Sequence, residues 1–140
     1  MARELLVHYR NRTSNLGLIE SARQIYDLFA PELEREYREV CVVVALDSKN
    51  YMLGWHRVSI GTINQTLVDA RSVFFPALRM LAASIILIHN HPNADCEPSK
   101  EDYRLTKKLV RAGKLLGIPV FDHIVIGGNV YFSFKEEKKI

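Results

Sequence analysis

The stretch Ile85-Ile86-Leu87-Ile88-His89-Asn90-His91-Pro92 restricts the fold of this chain more than any other. Four aliphatic residues in an unbroken run read as a short strand buried on both faces, and such a strand belongs inside a sheet covered by helices. It ends in two histidines one residue apart. Side chains alternate along an extended chain, so His89 and His91 share a face if the extended geometry persists through Asn90. Two imidazoles on one face can share one ion. The next regular segment supplies an acid. Ser99, directly after Pro98, is a good helix N-cap, and Asp102 falls at the third helical position, the spacing of a capping box. Asp102, Leu105, Leu109, Ala112 and Leu116 then follow at steps of three or four residues, which puts the carboxylate on a core-facing stripe. An unpaired charge there is driven to neutralise, and a metal ion would be its partner.

The rest of the chain sets bounds. A length of 140 residues suits one domain with a core of its own. The net charge of +3 resides partly in the tail Lys135-Glu136-Glu137-Lys138-Lys139 and is too small to argue for nucleic-acid binding by electrostatics alone. Cys41 sits in an apolar run and Cys96 in a loop, so neither a disulfide framework nor a zinc knuckle is indicated. The start of the chain lacks the apolar core of a signal peptide, and no segment approaches the ~18 apolar residues of a membrane span. A reduced, cytoplasmic location with no membrane partner is the expectation.

Read in order, Leu5 to Arg10 suggests a short edge strand. Ser21 and Gln24 form a capping box for a helix whose stripe, Ala22, Ile25, Leu28 and Phe29, is expected to stop before Pro31. Val40 to Leu46, apolar and mostly β-branched, reads as a central strand. A turn at Asp47-Ser48-Lys49-Asn50 leads into a second strand, Tyr51 to Ile60, as an antiparallel hairpin. Asp69 caps a helix to Ala83 with Val73, Ala77, Met80 and Leu81 facing inward, and Pro76 is expected to kink it or delay its start. The helix from Ser99 closes at Gly117, and Val120 to Phe134 makes a last hairpin about Gly127-Gly128-Asn129. Hairpins mixed with crossovers predict an α/β fold, a mixed sheet flanked by helices.

Two imidazoles and one carboxylate are the ligand set of a catalytic zinc site, with the fourth position left to water. Cys96 is the one residue nearby that could close that position. Zinc lowers the pKa of its water to about 7 and polarises a carbonyl, which prepares amide hydrolysis near neutral pH. A general base must take the proton and return it to the leaving amine. Glu39, where a polar passage meets the central strand, is favoured, with Glu36, Glu97 and Glu101 competing. Ser99 either donates to the developing oxyanion or serves as a plain cap, and the two roles can coexist. Asp122 and His123 are read first as a structural hydrogen-bonded pair and second as support for the site.

His89-x-His91, seven residues, Ser99, two residues, Asp102 resembles the JAMM metalloprotease motif. Arg38-Glu39-Val40, Ser59-Ile60-Gly61-Thr62, Pro98-Ser99-x-x-Asp102, Gly117-Ile118-Pro119 and Asp122-His123-Ile124 are similar, in order and spacing, to the RadC-like JAB/MPN family. The resemblance implies a JAB/MPN fold of cytidine-deaminase-like architecture filling residues 1–140, with a short strand/helix extension over 1–36. It implies zinc ligands His89, His91 and Asp102, the acid/base Glu39, the transition-state donor Ser99, and a peptide or isopeptide substrate. Asn93-Ala94 stands where the family usually has Ser-Gly; Ala takes positive φ less freely than Gly, so a differently shaped loop is expected. RadC-like domains commonly follow a helix-hairpin-helix DNA-binding segment, for which these residues leave no room. Two other readings are a non-catalytic JAB/MPN interaction module and a DNA-repair-associated protein acting on or near nucleic acid.

Overall fold

The computed structural model describes residues 8–9, 17–60 and 68–140. Along them run β1 (His8–Tyr9), α1 (Ala22–Leu33), β2 (Val40–Leu46), β3 (Met52–Ile60), α2 (Ala70–Arg79), β4 (Ser84–Asn90), α3 (Lys100–Leu116), β5 (Val120–Gly127) and β6 (Val130–Ser133). Most of the edge strand expected over Leu5 to Arg10, and the Gly61-Thr62 part of the family pattern, lie outside the described residues.

The strands form one mixed sheet in the order β1-β3-β2-β4-β5-β6. Only β4 and β5 run parallel, joined by the crossover helix α3; the other neighbours are antiparallel. The two apolar runs lie side by side at its centre, β2 on β4, and every residue of both is buried. Alternation then divides the core. Val40, Val42, Val44, Leu46, Ile86 and Ile88 pack with α1 on one face. Cys41, Val43, Ala45, Ile85 and Leu87 pack with α2 and α3 on the other. By the same alternation His89 must face α3, the helix that carries Asp102.

Helix ends depart from expectation in three places. α1 continues through Pro31 to Leu33, because proline removes only its own N–H and the last turn closes through Glu34 N–H on the Ala30 carbonyl at 2.9 Å; Leu28, expected inward, is 38% exposed. α2 begins at Ala70 with Pro76 inside it, so the proline does not delay its start. Leu81, expected in the core, is 87% exposed. It takes φ 54° just past the helix end, where its N–H donates to Leu78 O at 3.1 Å and the N–H of Ala82 to Ala77 O at 3.0 Å. That left-handed stop swings the side chain off the helical stripe. On α3 the buried face is Asp102, Thr106, Leu109 and Gly113; Leu105 and Ala112 are only partly buried and Leu116 is 46% exposed.

Candidate metal centre

Pairing between β2 and β4 sets Cys41 opposite His89. Glu39, two residues before Cys41, shares its face, so the sheet alone brings this carboxylate to the end of β4. Asn90 fixes the junction from the opposite face. Its Oδ1 accepts from Val40 N–H at 2.7 Å, while its Nδ2 donates to the carbonyls of Arg38 at 3.0 Å and Glu36 at 3.4 Å. His91 lies one residue beyond β4, yet its N–H still donates to Ile126 O at 2.8 Å, so the extended path persists and the two imidazoles share a side. Asp102 completes the set from the first turn of α3. Ser99 Oγ accepts from Asp102 N–H at 3.1 Å, and Asp102 Oδ2 accepts from Ser99 N–H at 2.8 Å, the reciprocal box read from the sequence.

The side chains of Glu39, His89, His91 and Asp102 converge, each offering one ligand atom within 4.8 Å of all the others. His89 Nε2 is 3.1 Å from Asp102 Oδ1 and His91 Nε2 is 3.1 Å from Asp102 Oδ2, while the two Nε2 atoms are 3.0 Å apart. Glu39 Oε1 stands 3.7 Å from His89 Nε2. Glu39, His89 and Asp102 are buried, and His91 is partly so. Of the four carboxylates weighed for this place, only Glu39 arrives: Glu36 pairs with Arg57 at 2.9 Å, and Glu97 and Glu101 are exposed. Cys96 is not in the group either.

The donor set fits a cation on chemical grounds. His91 Nδ1 lies 2.7 Å from the Asp95 carbonyl, which can only accept; a neutral His91 ring therefore carries its proton on Nδ1 and turns a bare Nε2 toward an anionic carboxylate. Acceptor faces acceptor until a proton or metal ion enters. With no metal bound, the proton is favoured: burial alone would lower the His91 pKa, but hydrogen bonds to Asp102 and the Asp95 carbonyl raise it. Burial likewise opposes ionisation of Asp102, and the imidazoles of His89 and His91 against its two oxygens overcome it, holding the carboxyl well below the usual range. These groups are thus held in the states, or exchange the proton, that metal ligation requires.

Ser99 is exposed at the helix start, and capping uses a lone pair of Oγ while the hydroxyl proton stays free to donate. Beside the cluster, a cavity of about 200 Å³ is bordered by His91, Pro92, Ala94, Gly127 and Gly128. Ala94 takes φ 64° there, the left-handed conformation that a glycine would adopt more cheaply. Gly128 has no such freedom to vary: its own φ is 62°, and a Cβ would run into the Ala94 carbonyl oxygen.

Behind the cluster stand Thr106, which sequence spacing did not single out, and His123, read from the sequence first as a structural partner of Asp122 and only second as support for the site. Thr106, one turn after Asp102, touches both the Asp102 carbonyl and His123, and His123 touches His89. A threonine four residues along the buried stripe was the available signal. Asp122 serves the hairpin instead, accepting from Ser133 Oγ at 2.6 Å and from the N–H groups of His123 at 2.7 Å and Lys135 at 3.0 Å. Burial raises its pKa despite those bonds.

A family model described as RadC-like JAB domain matches residues 19–139. The chain belongs to that family. The match takes in α1, β2 to β6 and the candidate metal-ligand cluster. The JAB domain is similar to UPF0758 protein pc1765 of Protochlamydia amoebophila, 44% identical over 128 residues, which are 91% of this chain and 55% of the relative. A UPF0758 protein of Trichlorobacter lovleyi is 45% identical over 125 residues, 89% of this chain and 54% of the relative. One from Methanosarcina mazei is 44% identical over 119 residues, 85% and 52%. The chain spans about half the length of the curated relatives it matches. No helix among the described residues of the JAB domain is long and apolar enough to cross a membrane.

Proposed function

We propose that this JAB domain is a zinc-dependent hydrolase of amide bonds, of the JAMM metalloprotease type, acting on a peptide or isopeptide. The observation that carries the reading is the convergence of Glu39, His89, His91 and Asp102 on one point at the end of the two central strands. His89, His91 and Asp102 would hold the ion, a ligand set that leaves one tetrahedral position for exchange. When bound, zinc supplies Lewis acidity that lowers the pKa of a coordinated water to about 7 and polarises a carbonyl.

The protein's own groups supply the rest. Glu39 stands at the start of the central strand β2, where its carboxylate takes a proton from the attacking water and returns it to the leaving amine. The Ser99 hydroxyl donates to the oxygen that gains charge as the carbonyl carbon becomes tetrahedral. The new C–O bond forms first; when the tetrahedral carbon collapses back to a carbonyl the C–N bond breaks, and the proton passed through Glu39 leaves on the amine nitrogen.

Metal analysis of protein purified without added zinc, combined with hydrolysis of peptide and isopeptide libraries, tests this. About one zinc per chain is expected, lost in His89→Ala and Asp102→Asn. Glu39→Gln should keep the metal and lose on the order of 10²–10⁴ in turnover. Absence of zinc, with His89→Ala changing nothing, sinks the metal site. Zinc without hydrolysis would favour an interaction module, and salt-sensitive DNA binding a nucleic-acid role.

A further inference from the structure

We infer that Thr106 and His123 are positioning residues that lock His89 in the one neutral tautomer able to bind a metal, an inference that rests on the metal centre proposed above. The logic starts from an atom with no choice. The backbone carbonyl of Asp102 can only accept, and Thr106 Oγ1 lies 2.7 Å from it, so the threonine gives that carbonyl its single hydroxyl proton. Oγ1 must then accept from its other neighbour, His123 Nδ1, at 2.6 Å. A neutral imidazole holds one proton, so His123 Nε2 is bare. That nitrogen is 2.8 Å from His89 Nδ1, which therefore donates to it. His89 is left with a lone pair on Nε2, the atom 3.1 Å from the Asp102 carboxylate.

The opposite tautomer would give its proton to the Asp102 carboxylate, but it breaks the relay and closes the site to a metal. It would set two lone pairs against each other between His89 and His123, and place a proton where the ion has to sit. Water cannot relieve the mismatch, because Thr106 is 3% exposed and His123 1%. The His123 ring is also fixed in its plane, stacked on Phe134 with centroids 4.8 Å apart and planes 7° apart.

His91 needs no such device, since the Asp95 carbonyl that receives its Nδ1 proton has no alternative role. A histidine partner is ambiguous, able to donate or accept, and Thr106 removes the ambiguity. The chain of bonds also returns to its origin. The backbone of Asp102 orders the relay that prepares His89, and the side chain of Asp102 stands beside the nitrogen so prepared. One turn of α3 thereby coordinates two of the three ligands.

The test is the tautomeric state of His89, read from imidazole ¹⁵N shifts in metal-free protein at mildly alkaline pH, together with zinc affinity measured by competition with a chromophoric chelator. Wild type should show His89 protonated on Nδ1 alone. Thr106→Val, which keeps the shape and removes the hydroxyl, should show a mixture of His89 tautomers and bind zinc roughly 10–100-fold more weakly, the range usual for loss of a group that orients a ligand. Thr106→Ser should restore both. A wild-type His89 protonated on Nε2 overturns the inference, as does a folded Thr106→Val protein with wild-type tautomer and affinity, even if less stable. If Thr106→Val does not fold, the wild-type spectrum decides. If wild type binds no zinc the metal reading falls, while the metal-free spectrum still reports on the relay by itself.

Discussion

Ser99 holds two positions in one side chain, and they can be separated by substitution. Its Oγ caps α3 through Asp102 N–H, which leaves the hydroxyl proton of this exposed residue free to donate elsewhere. Ser99→Ala should cost about 1 kcal/mol of stability, whereas Ser99→Gly should cost only a few tenths, because glycine is itself a tolerable N-cap. Neither variant can donate to an oxyanion, so both should lose on the order of 10²–10³ in turnover. Denaturant titration and single-turnover kinetics on the two proteins measure this, and an active Ser99→Gly would reduce the serine to a cap. The same contrast explains which site residues were legible. His89, His91, Ser99 and Asp102 are close in sequence, and the periods of strand and helix alone place them together. Glu39 was only one of several acids, because its arrival depends on β2 pairing with β4, which no local spacing reveals. His123 was weighed only as the second of two readings, and Thr106, which reaches it by a hydrogen bond across space from α3 to β5, was harder still to see.

At the level of elements, the sheet and its helices follow from sequence because burial on both faces leaves few other uses for Val40–Leu46 and Ser84–Asn90. Helix ends were less legible, since hydrophobic period continues past the point where a cap has already turned the backbone. Leu81 is the clearest case. The sequence extends the stripe of α2 to it, yet its φ of 54° and 87% exposure show a residue spending backbone energy with little packing in return. α3 makes the same kind of stop with Gly117, at φ 71°, where Ile118 N–H reaches Gly113 O at 2.9 Å. Giving α2 the residue that α3 already uses, Leu81→Gly, should therefore stabilise the protein by about 1 kcal/mol, the left-handed penalty less the extra flexibility of glycine when unfolded. Thermal and urea unfolding should agree on the sign; a destabilised variant would mean that Leu81 makes contacts worth more than its backbone strain.

For the whole molecule, the buried histidines tie stability to pH in the metal-free state. His123 is held neutral by burial, with its pKa pushed well below the ordinary value, so below about pH 6.5 the unfolded chain takes up a proton that the folded protein refuses. Stability must fall with acid there, with a limiting slope of about 1.4 kcal/mol per pH unit for one proton. His91 has the opposite sign. Its pKa is raised by Asp102 and the Asp95 carbonyl against the effect of burial, so its contribution is complete below the unfolded value and is lost as pH rises through the folded one. Asp102, depressed by the two histidines, gives up its share only in stronger acid, below about pH 3.9. Together these place the stability maximum of metal-free protein near pH 6.5, roughly the histidine value itself. Zinc should change the profile, because it takes the place of the His91 proton: the alkaline limb flattens, and at a hundred times the dissociation constant the fold gains about 2.7 kcal/mol. The gain should shrink with acid as protons compete for the ligands. Melting curves from pH 5 to pH 8.5, with chelator and with zinc, measure all of this. In chelator the acid limb should flatten in His123→Gln, which cannot ionise, and an acid limb unchanged by that substitution would assign the proton to another group.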